Sequence, residues 1–146
     1  PMTLGRDGAR TPMPWSATAP NAGFTAGEPW LPIVPAHVAL ALDAQEGDDT
    51  STLHLTRRLI AFRKAHPTLR YGTLAVIDAD PRLLIFDRAA DGERMRCLFN
   101  LSAESIESDL LTGWSPAFVV GEQGDAVMSG TATIPAGTAV FATPAS

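Results

Sequence analysis

A chain of 146 residues, 45% of them hydrophobic, can bury one core but not a (β/α)8 barrel, which takes about 250 residues. Its net charge is −5 and its eleven basic residues are scattered rather than striped, which argues against a nucleic-acid surface. One cysteine, Cys97, excludes an internal disulfide and a cysteine metal site and points to a cytoplasmic setting, and no apolar run approaches a membrane span.

Residues 1–35 hold seven of the twelve prolines, at positions 1, 12, 14, 20, 29, 32 and 35. Proline removes backbone donors and fixes φ, so a regular helix or central strand is not expected there. Trp15, Phe24, Trp30, Leu31 and Ile33 are too apolar for a solvated tether, which makes the stretch a packed, functional loop rather than a linker. Residues 50–66 read as one helix. Asp48, Asp49, Thr50 and Ser51 offer capping oxygens, Leu55, Leu59 and Phe62 recur at helical spacing, and Arg63, Lys64 and His66 load the last turn before Pro67 stops it. From 69 onward the pattern is β. The clearest strand is 94–101, with Met95, Cys97, Phe99 and Leu101 on one alternating face, paired with 82–88 through the turn Asp91-Gly92. Further strands are expected at 71–77, 105–111, 117–121, 130–135 and 138–143, and short strands at this spacing predict an antiparallel sandwich. The fold class is therefore mainly β, an antiparallel β-sandwich preceded by a long loop and one helix.

The densest motif is Gly5-Arg6-Asp7-Gly8-Ala9-Arg10-Thr11-Pro12-Met13-Pro14-Trp15. It resembles the loop after the eighth barrel strand in glycoside hydrolase family 13, in its α-glucosidase and oligo-1,6-glucosidase branch. The resemblance continues through Pro20-Asn21-Ala22-Gly23-Phe24-Thr25, Pro29-Trp30-Leu31-Pro32, Leu59-Ile60-Ala61-Phe62-Arg63-Lys64-Ala65-His66-Pro67, Tyr71-Gly72 and Leu98-Phe99-Asn100-Leu101-Ser102. It implies that residues 1–67 are the last active-site loop and last helix of an incomplete (β/α)8 barrel, and 68–146 a C-terminal antiparallel β-sandwich, the family's domain C. It also implies retaining hydrolysis of short α-glucosides from the non-reducing end, with the missing barrel as intramolecular partner. The motif begins within a few residues of Pro1, so the chain is expected to be a C-terminal portion, inactive alone because the family's catalytic carboxylates lie on earlier strands.

By that resemblance Arg10 is the residue expected to touch substrate, through a planar donor fork that suits carboxylate and sugar oxygens, and Arg6 is a second candidate on the same argument. Phe24 either stacks on a sugar ring or pins the loop, whereas Trp15 and Trp30 are read as pins. Asp7 lacks the companion carboxyl that a retaining mechanism places about 5–5.5 Å away, so it is read as a salt bridge or turn cap. His37, His54 and His66 lack metal-ligand spacing, and no catalytic residue, cofactor or metal is expected in the chain. Pro14 and Ser16 stand where the branch commonly has glutamine and aspartate, beside the pocket mouth, which leaves linkage preference open. Alternative readings are a piece of a glucosyl-transferring relative, such as a sucrose isomerase or trehalose-forming enzyme, or a free-standing carbohydrate-binding β-sandwich. An interaction module without sugar binding is a further alternative that nothing in the β part excludes.

Overall fold

A computed structural model describes residues 6–77, 80–121 and 132–145. The chain divides into two compact units, Pro1–Ile60 and Ala61–Ser146.

The first unit is mostly loop, with short helical pieces that composition did not announce. α1 spans Pro35–Val38, with proline in its first turn, and α2 spans Leu42–Glu46. Proline is tolerated there because the first N–H groups of a helix have no intrahelical partner. α3, Thr52–Ala65, is the predicted helix. Ser51 caps it, its Oγ accepting the His54 N–H at 3.4 Å, and the Gln45 side chain accepts the Leu53 N–H at 3.1 Å. Pro67 ends that helix but also begins α4, Pro67–Tyr71, so the chain turns into a new short helix rather than directly into a strand.

The second unit is built on a five-stranded antiparallel sheet in the order β1-β2-β3-β7-β5, with a two-stranded sheet β4-β6. The strands are β1 Thr73–Val76, β2 Leu83–Ala90, β3 Glu93–Asn100, β4 Ile106–Ser108, β5 Trp114–Val120, β6 Ala132–Ile134 and β7 Ala139–Pro144. Every predicted strand is present, although the first two positions of 130–135 lie outside the described residues. β2 and β3 pair from Leu83↔Asn100 to Ala90↔Glu93, closed by Asp91 and Gly92, both at positive φ (51° and 83°). Two consecutive left-handed residues make the tight turn whose twist suits a hairpin. β5 carries Pro116, which an edge strand tolerates because one row of its N–H groups is unpaired, and its register shifts between Pro116 and Phe118.

Both faces of β3 are covered. Leu98 packs with Ile85, Val140 and Ala142 of the large sheet, Ala132 and Ile134 of the small one, and Leu111 and Trp114, which forms the sandwich core. On the opposite face Phe99 and Phe141 meet edge to face at 5.7 Å, and Phe62, from the end of α3, lies 4.9 Å from Phe118 and 5.6 Å from Phe141. The alternation expected in 94–101 therefore needs correcting in two places. Leu98, set on the polar side by simple alternation, is fully buried in the sandwich core, and Leu101 is 73% exposed because β3 ends at Asn100.

Candidate functional site

The site is assembled by the proline-rich loop. Arg6–Ala9 forms one 3-10 turn, closed by the Arg10 N–H donating to the Asp7 carbonyl at 3.0 Å, which leaves the Arg10 side chain exposed. Buried Pro12 follows, and the chain passes through Trp15 into a second turn at Pro20–Gly23. This turn is left-handed: Asn21, Ala22 and Gly23 have φ of 50°, 51° and 71°. An L-residue there costs roughly 1–2 kcal/mol, so the fold must hold it. It does so by hydrogen bonds. The Asn21 amide donates to the Gly27 carbonyl at 2.8 Å, and the Ala22 carbonyl accepts the N–H groups of Trp15 and Ser16 at 2.8 and 3.0 Å.

The turn brings Phe24 to Arg10. A cleft of about 240 Å³ is lined by Asp7, Arg10, Pro12, Phe24, Trp30 and Leu31. Asp7 and Leu31 also line a neighbouring cleft of about 270 Å³ with Gly8, Thr11, Pro32, Val34 and His37. Each is smaller than the pockets of about 300–1,000 Å³ that hold drug-sized ligands, which leaves room for a small unit only. The cleft combines one guanidinium fork, one carboxylate and two aromatic rings, the donor, acceptor and stacking set that a polyhydroxylated ring engages.

Of the candidates from sequence, Arg10 and Phe24 share this cleft, while the Arg6 side chain lies outside the described residues. Trp30, read from sequence as a pin, is 93% exposed and lines the cleft, so it is packed against little of its own unit. The signal that marks it is its place in a Pro-Trp-Leu-Pro segment whose prolines deny the ring a regular element to pack on. Asp7 is the one carboxylate among the described residues lining either cleft. No three His, Cys, Asp or Glu side chains converge among the described residues, and none of the described helices is long and apolar enough to cross a membrane.

Among known proteins, the profile of the α-amylase catalytic domain matches residues 2–72. A probable α-glucosidase of Rhizobium meliloti is 45% identical over 106 residues, 73% of this chain and 19% of that protein. An oligo-1,6-glucosidase of Parageobacillus thermoglucosidasius is 37% identical over 102 residues, 69% of this chain and 18% of that protein. The chain thus spans about a fifth of the length of these relatives. Among solved structures, the α-glucosyl transfer enzyme XgtA superposes with a TM-score of 0.82 at 38% identity, over 99% of this chain and 27% of that one. Trehalulose synthase MutB from Pseudomonas mesoacidophila superposes with a TM-score of 0.81 at 29% identity, over 95% of this chain and 26% of that one.

Proposed function

The chain belongs to glycoside hydrolase family 13, the α-amylase family, and on that premise we propose that it is the C-terminal part of an α-glucosidase. The parent enzyme hydrolyses short α-glucosides from the non-reducing end with retention. Residues 1–67 complete its (β/α)8 barrel as the last active-site loop and helix, and 68–146 form its C-terminal sandwich. The observation that carries this reading is the meeting of Arg10 with Phe24 and Trp30 in one cleft. Arg10 donates to hydroxyls of the terminal glucose, while the aromatic rings offer flat apolar faces to its C–H groups. Arg6, on the same loop, is the second donor. With Asp7 the one carboxylate among the described cleft residues, the pair that retaining hydrolysis needs is supplied by the barrel, and this chain alone is inactive. The free thiol of Cys97 fits a cytoplasmic enzyme.

Glucosyl transfer is the second reading, favoured by the likeness to XgtA along nearly the whole chain. Hydrolysis of p-nitrophenyl-α-glucoside, by this chain and by a protein extended upstream through a whole barrel, tests the first. Turnover by the long form alone supports it, and turnover by the 146-residue chain overturns it. In the long form, Arg10→Ala lowers kcat/KM by about 10- to 100-fold, the worth of a hydrogen bond from a charged donor. Product analysis with maltose and sucrose separates free glucose from rearranged disaccharide and so decides between the two readings.

A further inference from the structure

Asp43 lies outside both clefts, in the first turn of α2, yet its carboxylate reaches the loop that builds the cleft. Its two oxygens accept the Ala17 N–H at 2.9 and 3.2 Å. Oδ1 also accepts the Ala44 N–H at 2.8 Å, so the carboxylate is oriented by its own helix. Backbone bonds run alongside. Leu42 N–H donates to the Pro14 carbonyl at 3.1 Å, and Asp43 N–H to the Trp15 carbonyl at 3.2 Å.

The segment held in this way is the one from which the left-handed turn hangs, since Trp15 and Ser16 donate their N–H groups to the Ala22 carbonyl. Phe24 follows that turn directly, and its own N–H donates to the Asn21 carbonyl at 3.0 Å. A continuous series of contacts therefore leads from Asp43 through Ala17, Trp15 and Ser16 to Ala22, and so to the aromatic ring that shares a cleft with Arg10. A turn with three successive positive φ values is strained for Asn21 and Ala22 and persists only where its surroundings determine it. Among the described residues, the Asp43 carboxylate supplies the side-chain hydrogen bonds that tie the Pro14–Ala17 segment to another element.

We infer that Asp43 is a positioning residue: its carboxylate holds the Pro14–Ala17 segment and thereby presents Phe24, together with Arg10, to the α-glucoside. The inference rests on the glucoside reading of the cleft. It does not make Asp43 a catalytic residue, because the side chain lines neither cleft. Loss of the carboxylate releases one edge of the segment and lets Phe24 sample other positions. Substrate binding weakens while bond cleavage, carried out by groups on the barrel, is affected less.

Two readouts test this. Amide hydrogen exchange, followed by NMR on the 146-residue chain, reads the clamp directly. Asp43→Ala speeds exchange at Ala17 by about 10-fold or more, the scale of a hydrogen bond to a charged group, and Trp15 and Ser16 follow. Asp43→Asn, which keeps one acceptor oxygen, restores most of that protection. In the complete enzyme, Asp43→Ala raises KM for p-nitrophenyl-α-glucoside several-fold, with a smaller fall in kcat, and Asp43→Asn recovers most of the KM. An Ala17 amide that stays protected in folded Asp43→Ala overturns the clamp. Loosened amides with an unchanged KM overturn the positioning role. If Asp43→Ala does not fold, Asp43→Leu, which is close in shape but lacks the acceptor oxygens, takes its place in both measurements, and each outcome carries the same meaning. Loosened amides in an enzyme that cleaves no α-glucoside support the clamp and overturn only the glucoside reading.

Discussion

Asn100 is 1% exposed, yet its amide group meets a full set of partners. Nδ2 donates among the carbonyls of Glu104, Ile134 and Pro135 at 2.7 to 3.0 Å, and Oδ1 accepts from the N–H and hydroxyl of Ser102. One side chain thus ties the end of β3 to the turn after it and to the end of β6. Asn100→Ala removes the amide donors shared by these three carbonyls, the buried one of Ile134 among them, and costs about 2–3 kcal/mol, lowering the Tm by on the order of 10 °C in calorimetry. Asn100→Asp keeps the acceptor but loses the donors and is expected to be no milder. Cys97 is fully buried, and burial pushes its thiol up to about 11. It therefore stays unreactive toward a thiol reagent at pH 8 in native protein and reacts promptly in denaturant, as free thiol titration will read. The sequence placed Cys97 on a buried face through alternation alone. It marked Asn100 only as part of a motif, because the carbonyls that explain it lie more than thirty positions away.

At the scale of elements, local signals worked where local chemistry decides. The Asp91-Gly92 turn and its flanking strands follow from backbone preference and period-two patterning. α3 follows from its caps and its apolar spacing. The short helices α1, α2 and α4 were not legible, since four or five residues carry too little periodicity and the prolines that open α1 and α4 read as breakers. The junction of α4 and β1 shows what a motif glycine can mean. Gly72 has an ordinary φ of −61°, but a Cβ there would collide with the Thr68 carbonyl oxygen and sit 3.0 Å from that of Ala89. Both obstacles are backbone, so they cannot swing aside. Gly72→Ala is expected to cost about 1–3 kcal/mol through backbone displacement, measured as a lower urea midpoint with an unchanged slope.

At the scale of the whole molecule, pH reads how the acidic chain is held together. Several carboxylates sit below their ordinary values in the fold. For Glu93 burial pushes upward, but hydrogen bonds from Thr68 and His66, with the His66 Nδ1 at 2.6 Å, outweigh it. Asp80 is lowered to about 2 by the Arg82 guanidinium and backbone N–H, and Asp43 is lowered by the Ser16 hydroxyl and the Ala17 N–H. A group whose native value is depressed contributes stability that is complete above its unfolded value and lost as pH falls through the native one. Urea midpoints are therefore expected to hold steady near neutrality and to fall below the ordinary glutamate value of 4.5. Glu93→Gln is expected to lower the neutral midpoint and flatten the upper part of that acid limb. An acid limb identical in both proteins would mean that the His66–Glu93–Thr68 contact contributes nothing.

The sequence by itself determined the long helix and the strands that follow it, the antiparallel sandwich, the hairpin turn and the family, because each is written in residues close together in the chain. Short-range backbone preference and hydrophobic period need no knowledge of where distant segments lie. Only the tertiary structure decided that Leu98 belongs to the core and Leu101 to the surface, since burial depends on what covers each face of β3. It likewise brought Arg10, Phe24 and Trp30 to one cleft. It also gave Asp43 a role that no motif announced, because a carboxylate acquires a function from the N–H it meets, and that N–H belongs to Ala17, far back along the chain.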